Sequence, residues 1–244
     1  MFRYSENIAR CTRTFCTQYS NGKLKITQVN SCLKPGFELI DKIKVERTKK
    51  DNLERTFRRI KATIKDLALE NNFEFFCTFT VKPSIECNRY ELEDVQNNLR
   101  KLLKSYKRKY KDFAYIIITE EHKDGAYHFH GLVKNLYDLY QNEFSYLSSN
   151  HFDTLGFNSF SKIQNYEKCC NYILKYISKD MVRLLNNKFY IRSRNLISPS
   201  HYEIENLSIE NWDFENDYCK MSTVDLKTVD LDTLYFLNES IIDK

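Results

Sequence analysis

Residues 113–133 read FAYIIITEEHKDGAYHFHGLV, two apolar runs joined by a polar turn. Both runs are rich in β-branched and aromatic residues and the turn ends in Asp-Gly, so the stretch predicts an antiparallel β-hairpin. Side chains alternate between the two faces of a strand, which places His128 and His130 on one face and the residues beside them on the other. The two imidazoles can therefore reach a single metal ion.

Further ligands for such an ion lie close by in the sequence. The first strand ends in Glu120 and Glu121, and either carboxylate can share the histidine face. His122, in the turn, is another candidate, although an exposed turn residue is its simpler interpretation. Gly131 predicts room for the backbone of a substrate to approach. Taken alone, the His-x-His pair is also consistent with two imidazoles that pack against neighbouring side chains.

The segments around the hairpin predict the fold class. Apolar residues spaced three and four apart predict amphipathic helices from Leu53 and over residues 92–106. Between them, NNFEFFCTFTVKP predicts a buried strand that stops at Pro83. A third helix is predicted over roughly 161–187, followed by a strand in KFYIRSRNL, residues 188–196. This order predicts an α+β fold with a central antiparallel sheet and flanking helices.

Charge divides the chain into unlike segments. Residues 1–200 carry 35 Lys/Arg and 22 Asp/Glu, whereas residues 201–244 carry 3 and 11. The basic body predicts a polyanionic partner such as nucleic acid, with a solvated basic surface as the alternative. SNGK (20–23) and KPGF (34–37) predict turns between short strands. We therefore expect an N-terminal extension of short strands and turns over 1–50, a main domain over 51–200 and an acidic segment over 201–244. For the acidic segment, self-association, a cap on the basic surface and plain packing are all open.

The composition also bounds the cellular compartment. The eight cysteines include no CxxC pair, which argues against a zinc ribbon and against a secreted disulfide framework. No apolar run reaches the roughly 18 residues needed to span a membrane, and the N-terminus lacks the apolar core of a signal peptide. The sequence thus predicts a cytoplasmic protein with reduced thiols and no membrane partner.

The segment YEKCCNYILKYISKDM, residues 166–181, has two different faces when it is built as a helix. At about 100° per residue, one side carries Tyr172, Lys175, Tyr176 and Lys179. The opposite side is apolar and is expected to anchor the helix on the sheet. A phenol can attack phosphorus when cations stabilise the charge that develops on the phosphate oxygens. The alternative is an ordinary surface helix with aromatic and basic residues.

Three segments, in this order, resemble the motifs of a known family. FFCTFTV is similar to the first motif, HFHGLV to the second, and YILKYISK to a third motif that is doubled here. The family is the rolling-circle replication initiators of the HUH endonuclease superfamily, in particular those of single-stranded DNA phages and small bacterial plasmids. The resemblance extends from about Leu53 to Leu196. It implies an RRM-like, or ferredoxin-like, antiparallel sheet with the histidine strand in its middle and the tyrosine helix beside it.

The resemblance implies a metal site. His128 and His130 would be ligands, Glu120 the third ligand, and Glu121 the less favoured alternative. The family implies Mg²⁺ or Mn²⁺ as the ion. By ligand type alone, two imidazoles and a carboxylate would suit zinc equally well.

The resemblance also implies a tyrosine nucleophile. The spacing does not choose between Tyr172 and Tyr176, because each has a lysine three residues later. Whether both tyrosines act in turn is equally open. Lys175 and Lys179 would position the phosphate or help the phenol to ionise.

The implied activity is nicking of single-stranded DNA at a replication origin, presented in an extruded hairpin. A tyrosine attacks, a 5′-phosphotyrosyl link forms, and the freed 3′-hydroxyl primes rolling-circle replication by a polymerase. The sequence has no P-loop motif, so a host helicase is an expected partner together with the polymerase. A plasmid relaxase or an HUH transposase would use the same parts. A DNA-binding regulator without catalysis is the alternative of another class.

Two basic stretches are candidate DNA contacts. RKLLKSYKRKYK, residues 100–111, mixes cations with tyrosines, which suits a phosphate backbone. Its candidate contacts are Lys104, Lys107 and Arg108, and KFYIRSRNL adds Arg192 and Arg194. A solvated helix end is an equally simple interpretation of the first stretch.

Overall fold

The computed structural model describes residues 2–4, 10–33, 37–39, 49–83, 87–177, 190–204, 222–225 and 234–237. The chain forms two compact units, one from residues 1–47 and 199–244 and the other from residues 48–198. The N-terminal and the acidic C-terminal parts therefore share one unit. The roles predicted for the separate segments stay predictions.

The described helices and strands are numbered in chain order. The helices are α1 (Lys49–Glu70), α2 (Leu92–Lys109) and α3 (Tyr166–Tyr172), with 3₁₀ turns at Asn150–Phe152 and Ile173–Tyr176. The strands are β1 (Phe2–Tyr4), β2 (Arg10–Gln18), β3 (Lys23–Leu33), β4 (Phe37–Leu39), β5 (Phe75–Val81), β6 (Ala114–Glu121), β7 (Tyr127–Lys134), β8 (Leu139–Gln141), β9 (Leu147–Ser149), β10 (Gly156–Lys162), β11 (Tyr190–Arg192), β12 (Ser200–Ile204), β13 (Ser222–Asp225) and β14 (Leu234–Leu237).

A seven-stranded antiparallel sheet organises the unit of residues 48–198. Its order is β11-β6-β7-β5-β10-β9-β8, and each neighbouring pair is antiparallel. The predicted hairpin is confirmed as β6 and β7, and the predicted buried strand as β5. The α+β fold class with an antiparallel sheet and flanking helices is confirmed. β7 is an inner strand next to the middle strand β5, one place from its predicted position.

The core lies between α2 and one face of this sheet. α2 buries Val95, Leu99 and Tyr106, which belong to the predicted apolar pattern, together with Leu103. These side chains join a cluster with sheet residues such as Phe79 and Phe129, all of them fully buried. Each buried side chain of this size stabilises the fold by about 1.5–3 kcal/mol. The helix begins with acidic and ends with basic residues, as its dipole favours.

Gly131 faces this core rather than a substrate, so the predicted approach of a substrate backbone at this position is wrong. A Cβ atom at Gly131 would lie 2.6 Å from the Ile116 carbonyl oxygen, 2.8 Å from Ile117 Cγ1 and 3.0 Å from Cys77 Sγ. Strand alternation explains the error, because Gly131 is one residue from His130 and points to the opposite face. The missing side chain lets the central strands pack closely.

We expect Gly131→Ala to lower the free energy of unfolding by about 1–3 kcal/mol, because backbone and core atoms must shift to admit the methyl group. Urea denaturation followed by circular dichroism measures this difference. Ser161→Ala, at an exposed position of β10, is the control and should change the free energy of unfolding by less than about 0.5 kcal/mol. Equal stability of Gly131→Ala and the wild type would contradict the close packing at Gly131.

The third helix begins later than predicted. Residues 156–162 form β10, which pairs with β5, and α3 begins only at Tyr166. The sequence pattern missed β10 because its second inward residue is the polar Asn158. This side chain is buried, accepts a hydrogen bond from the Ser149 backbone N–H at 2.8 Å and donates one to Asp153 at 2.7 Å. Residues 178–189 lie outside the described residues, and with them the predicted end of the helix.

The other unit contains a sheet with the order β12-β2-β3-β13, and β14 also pairs with β3. β2 and β3 have 9 and 11 residues, longer than the short strands expected, and Gly22 (φ 82°) makes the predicted turn between them. Arg13 pairs with Glu203 across β2 and β12. The described strands of the acidic segment therefore pair with the N-terminal strands β2 and β3. The predicted turn at 34–37 falls largely outside the described residues.

The helices that the structure describes include none that is long and apolar enough to cross a membrane.

Candidate functional site

The histidine face of the sheet, opposite α2, gathers the predicted ligands by strand register. His128 lies directly across from Glu120 on β6 and from Thr80 on β5. His130 lies across from Thr78 in the same way. Because directly opposed residues of antiparallel strands share a face, these side chains lie together.

The two threonines fix the imidazole rings. Thr80 Oγ1 lies 3.2 Å from Nδ1 of His128, and Thr78 Oγ1 lies 3.2 Å from Nδ1 of His130. A hydroxyl can donate or accept, so each threonine suits either tautomer of its histidine. With Nδ1 engaged, Nε2 is the other nitrogen of each ring that can face a metal or a substrate, and in His130 this atom contacts Glu120. The alternating threonines of the first motif thus orient the second motif.

Glu120, and not Glu121, reaches the histidines. Glu120 Oε2 lies 2.8 Å from His130 Nε2. Glu121 is opposite Tyr127, so its exposed side chain belongs to the other face. His122 is exposed in the turn, although its ring lies 5.0 Å from the ring of His128.

Burial sets the protonation of the pair. It lowers the pKa of His130 to about 4, with a further contribution from His128, and it also lowers the pKa of His128. Burial raises the pKa of Glu120 against the opposing effect of His122. Both imidazoles are therefore neutral near pH 7, and the contact between His130 and Glu120 is a hydrogen bond from a neutral ring. The neutral imidazole is also the form that binds metal ions.

The tyrosine segment is anchored as predicted but changes helix type. Asn165 caps α3 by accepting a hydrogen bond from the Lys168 backbone N–H. The α-helix ends at Tyr172, and the chain continues as a 3₁₀ turn. The apolar side is buried, with Ile173 at 0% and Ile177 at 2% exposure. The segment therefore has the predicted buried apolar side as far as Ile177, with the tyrosines on the other side.

The two tyrosine hydroxyls meet above the histidine face. The ring of Tyr176 stacks on His130, with centroids 3.8 Å apart and planes 17° apart. Its hydroxyl donates a hydrogen bond of 2.8 Å to the hydroxyl of Tyr172. Phe76 supports both rings from the sheet, at centroid distances of 5.6 Å and 6.1 Å. The sequence placed both tyrosines on one helix side, and the structure brings them to the histidines.

The two tyrosines differ in environment. Tyr172 is 43% exposed, and Lys175 Nζ lies 4.9 Å from the centre of its ring. Tyr176 is partly buried, and burial together with its hydrogen bond to Tyr172 raises the pKa of its phenol. Lys179, the second predicted lysine, lies outside the described residues.

The donors fit a divalent ion in chemistry, although they are not arranged around one. Among the side chains that the structure describes, no group of three or more His, Cys, Asp or Glu is placed to hold a metal. His130 and Glu120 are in direct contact, and His128 shares their face with no hydrogen bond to its Nε2 from the described residues. Two neutral imidazoles and a carboxylate are a ligand set that Mn²⁺ and other divalent ions accept.

The predicted DNA contacts all line one cleft on the opposite side of the sheet. This cleft, which we call the basic cleft, lies between the basic half of α2 and the edge strand β11 and has a volume of about 1040 Å³. Its floor includes Tyr115 and Ile191, which belong to the α2 core. The cationic residues that line it are Arg100, Lys104, Lys107, Arg108, Lys111, Arg192 and Arg194. No carboxylate is found among the described residues that line it.

Comparison with known proteins agrees with the motifs. Residues 74–181 match the family model of the replication-associated protein ORF2. This segment contains the three motifs, so the match agrees with the resemblance to rolling-circle replication initiators. No curated protein and no solved structure matches the chain.

Proposed function

We propose that this protein initiates replication by nicking single-stranded origin DNA through a tyrosine nucleophile. One observation carries the proposal: two tyrosine hydroxyls lie 2.8 Å apart, and the ring of one of these tyrosines stacks on an imidazole that contacts a carboxylate. A tyrosine oxygen would bond to phosphorus as the bond from phosphorus to the 3′ oxygen breaks. The products are a 5′-phosphotyrosyl link and a free 3′-hydroxyl, from which a polymerase can extend.

Tyr172 is the better placed of the two tyrosines for the first attack. Its oxygen accepts the hydrogen bond from Tyr176, and this bond favours the developing phenolate. Its ring is the more exposed, and Lys175 supplies positive charge beside it. Tyr176 is therefore a positioning group in the first step, and it is available as the nucleophile of a second transfer.

His128, His130 and Glu120 would hold Mg²⁺ or Mn²⁺. When bound, the ion supplies positive charge that polarises the scissile phosphate. Thr78 and Thr80 hold the imidazoles in place, and the stacked ring of Tyr176 keeps water from one side of His130. These contacts would thus hold the ligands of the ion beside the two tyrosine hydroxyls.

The basic cleft would hold the DNA backbone away from the nicking site. Its cations on α2 extend over about 12 Å from Arg100 to Arg108, at 1.5 Å per residue. This length matches three to four phosphates of one duplex strand at about 3.4 Å each. Separation of the strands is left to a partner helicase or to supercoiling.

The direct test is covalent capture. The protein is incubated with Mn²⁺ and single-stranded oligonucleotides tiled over its own replicon, and the products are separated on a denaturing gel. A band of increased mass, sensitive to nuclease and to protease, is the expected result. Absence of an adduct with every divalent ion and every oligonucleotide would exclude the enzyme and leave a DNA-binding regulator. The mapped position of the nick, inside or outside a hairpin origin, separates replication from conjugation and transposition.

We expect the triple variant Lys104→Gln/Arg108→Gln/Arg194→Gln to weaken binding to duplex DNA and to flatten its dependence on salt. Removal of three phosphate contacts should reduce the slope of log K against log salt by about two to three. Fluorescence anisotropy between 50 and 200 mM salt, with a chelator present, measures this slope.

The matched control for this prediction is Lys82→Gln/Lys101→Gln/Lys162→Gln, which removes the same charge from exposed positions outside the basic cleft. Its slope should change by less than about one. An equal change in both triple variants would show that DNA responds to the overall charge of the protein and not to the cleft.

A further inference from the structure

Two large aromatic side chains beside the nicking site remain exposed. Phe157, on β10, is 42% exposed, and Tyr146, in the turn between β8 and β9, is 52% exposed. Rings of this size are normally among the largest contributors to a buried core. Neighbouring exposed apolar side chains instead indicate a surface that another molecule covers.

Strand register connects Phe157 to the candidate ligands. Phe157 lies directly across from Thr80, Thr80 across from His128, and His128 across from Glu120. These four residues form one row across the sheet on the histidine face. Neighbouring strands are about 4.8 Å apart, so Phe157 lies roughly 10 Å from His128 along this row. A strand of DNA whose phosphate lies at the histidines can therefore place adjacent bases over Phe157.

Tyr146 extends this surface from a turn whose backbone is held by hydrogen bonds. Its ring meets the Phe157 ring edge to face, with centroids 6.0 Å apart and planes 88° apart. Asn142 holds the turn: its Oδ1 accepts hydrogen bonds from the backbone N–H groups of Phe144 and Tyr146. The backbone N–H of Asn142 donates to the Tyr146 carbonyl at 2.8 Å. Because the turn is already ordered, little conformational entropy is lost when a ligand stacks on these rings.

We propose that Phe157 and Tyr146 form an aromatic shelf that stacks unpaired bases flanking the scissile phosphate. The position of these bases rests on the proposed nicking function, whereas the preference for single strands does not. Bases in a duplex are already stacked on both sides and are closed to the shelf, while every unpaired base offers a free aromatic face. The shelf thus makes the histidine face selective for single-stranded DNA with little preference for sequence.

The shelf and the basic cleft divide DNA binding between them. The cleft carries charge and faces the α2 side, whereas the shelf consists of uncharged rings on the histidine face. Binding through the cleft should weaken steeply with salt, and stacking on the shelf should not. Salt dependence therefore separates their contributions in one protein.

The first test compares binding of the full chain to a single-stranded oligonucleotide of mixed sequence and to a duplex of equal length, with a chelator to prevent cleavage. Phe157→Ala should bind the single strand roughly tenfold more weakly, with an unchanged salt slope and unchanged binding to the duplex. Phe157→Trp should bind the single strand as the wild type does. The control is Tyr137→Ala, because Tyr137 is 43% exposed and packs on Tyr110 at the end of α2.

The second test locates the stacked bases. In an oligonucleotide that spans the mapped nick, abasic sites are introduced one at a time on both sides of the scissile phosphate. One or two of these sites should weaken wild-type binding about tenfold and should have no further effect on Phe157→Ala, because the same contact is already lost.

The proposal of the shelf would be wrong if Phe157→Ala weakened binding to the single strand and to the duplex equally, or if Tyr137→Ala weakened single-strand binding as much. It would also be wrong if the abasic sites weakened binding by Phe157→Ala as much as binding by the wild type. A changed oligomeric state of Phe157→Ala in sedimentation would likewise contradict it. Because binding is measured without cleavage, a protein that forms no adduct but keeps the Phe157-dependent preference would refute nicking and leave the shelf intact.

Discussion

The double variant Tyr172→Phe/Tyr176→Phe is expected to form no covalent adduct with single-stranded origin DNA, a loss of at least about 10³-fold in the rate of adduct formation. The two hydroxyls lie 2.8 Å apart, so a phosphate within reach of one is within reach of the other. Removal of both oxygens leaves the rings, their packing on Phe76 and His130, and hence the shape of the site. Single-turnover adduct formation in the presence of Mn²⁺ measures the effect.

The single variants separate the roles of the two tyrosines. Tyr172→Phe should slow the first attack about 100-fold or more, with the residual adduct formed by Tyr176. Tyr176→Phe loses only the hydrogen bond to the Tyr172 oxygen and should slow the first attack by about tenfold or less. Mass spectrometry of the adduct peptide identifies the tyrosine that is used.

Tyr137→Phe is the matched control, because Tyr137 is as exposed as Tyr172, at 43%, and lies away from the histidine face. It should form the adduct at the wild-type rate. A double variant that still forms the adduct would place the nucleophile elsewhere in the chain. A faster first attack in Tyr172→Phe than in Tyr176→Phe would reverse the order of the two tyrosines.

Local sequence pattern was sufficient for the hairpin and for the faces of its side chains. Alternation in AYHFHGLV put His128 and His130 on one face, and the structure agrees because period-two alternation is a property of any strand. The same alternation put Gly131 on the opposite face, and the structure shows that this face is packed against core atoms. The predicted approach of a substrate backbone at Gly131 was wrong because it rested only on the nearness of this residue to His130 in the sequence.

Relations between distant strands were not accessible from local pattern. The distance between β5 and β7 along the chain does not determine which residues face each other. In the structure Thr78 lies opposite His130 and Thr80 opposite His128. A shift of one residue in this pairing would move every side chain of one strand to the other face of the sheet. The choice of Glu120 over Glu121 also depends on register, with Glu120 opposite His128. The sequence resemblance favoured Glu120, and the pairing of β6 with β7 supplies the physical reason.

The basic cleft and the aromatic shelf also depend on the pairing of strands that are far apart in the sequence. The cations of α2 and those of β11 are about 90 residues apart and meet only because β11 pairs with β6 at the sheet edge. Phe157 belongs to β10, a strand that the apolar pattern did not predict. The pattern is interrupted there because the buried residue Asn158 is polar. An alternating pattern in which one inward position may be an amide predicts β10.

We expect Glu120→Gln to weaken Mn²⁺ binding by on the order of 100-fold or more, while Glu121→Gln changes it by less than about twofold. Substitution of partners that only orient a ligand costs about 10–100-fold in metal affinity, so loss of a charged ligand should cost at least as much. The two variants remove the same charge from neighbouring residues of one strand and differ only in the face affected. Titration of free Mn²⁺ followed by electron paramagnetic resonance measures affinity without reference to nicking.

His130→Gln should lose Mn²⁺ binding to the same degree as Glu120→Gln, and the combined variant should lose little more, because both side chains would serve one ion. Equal losses of Mn²⁺ affinity in Glu120→Gln and Glu121→Gln would indicate a general effect of negative charge. They would contradict a metal site on the histidine face. Unchanged Mn²⁺ affinity in Glu120→Gln with loss of the adduct would give Glu120 a different role. In that case its 2.8 Å contact would orient His130 toward the phosphate, and the imidazole itself would be the group that acts on the DNA.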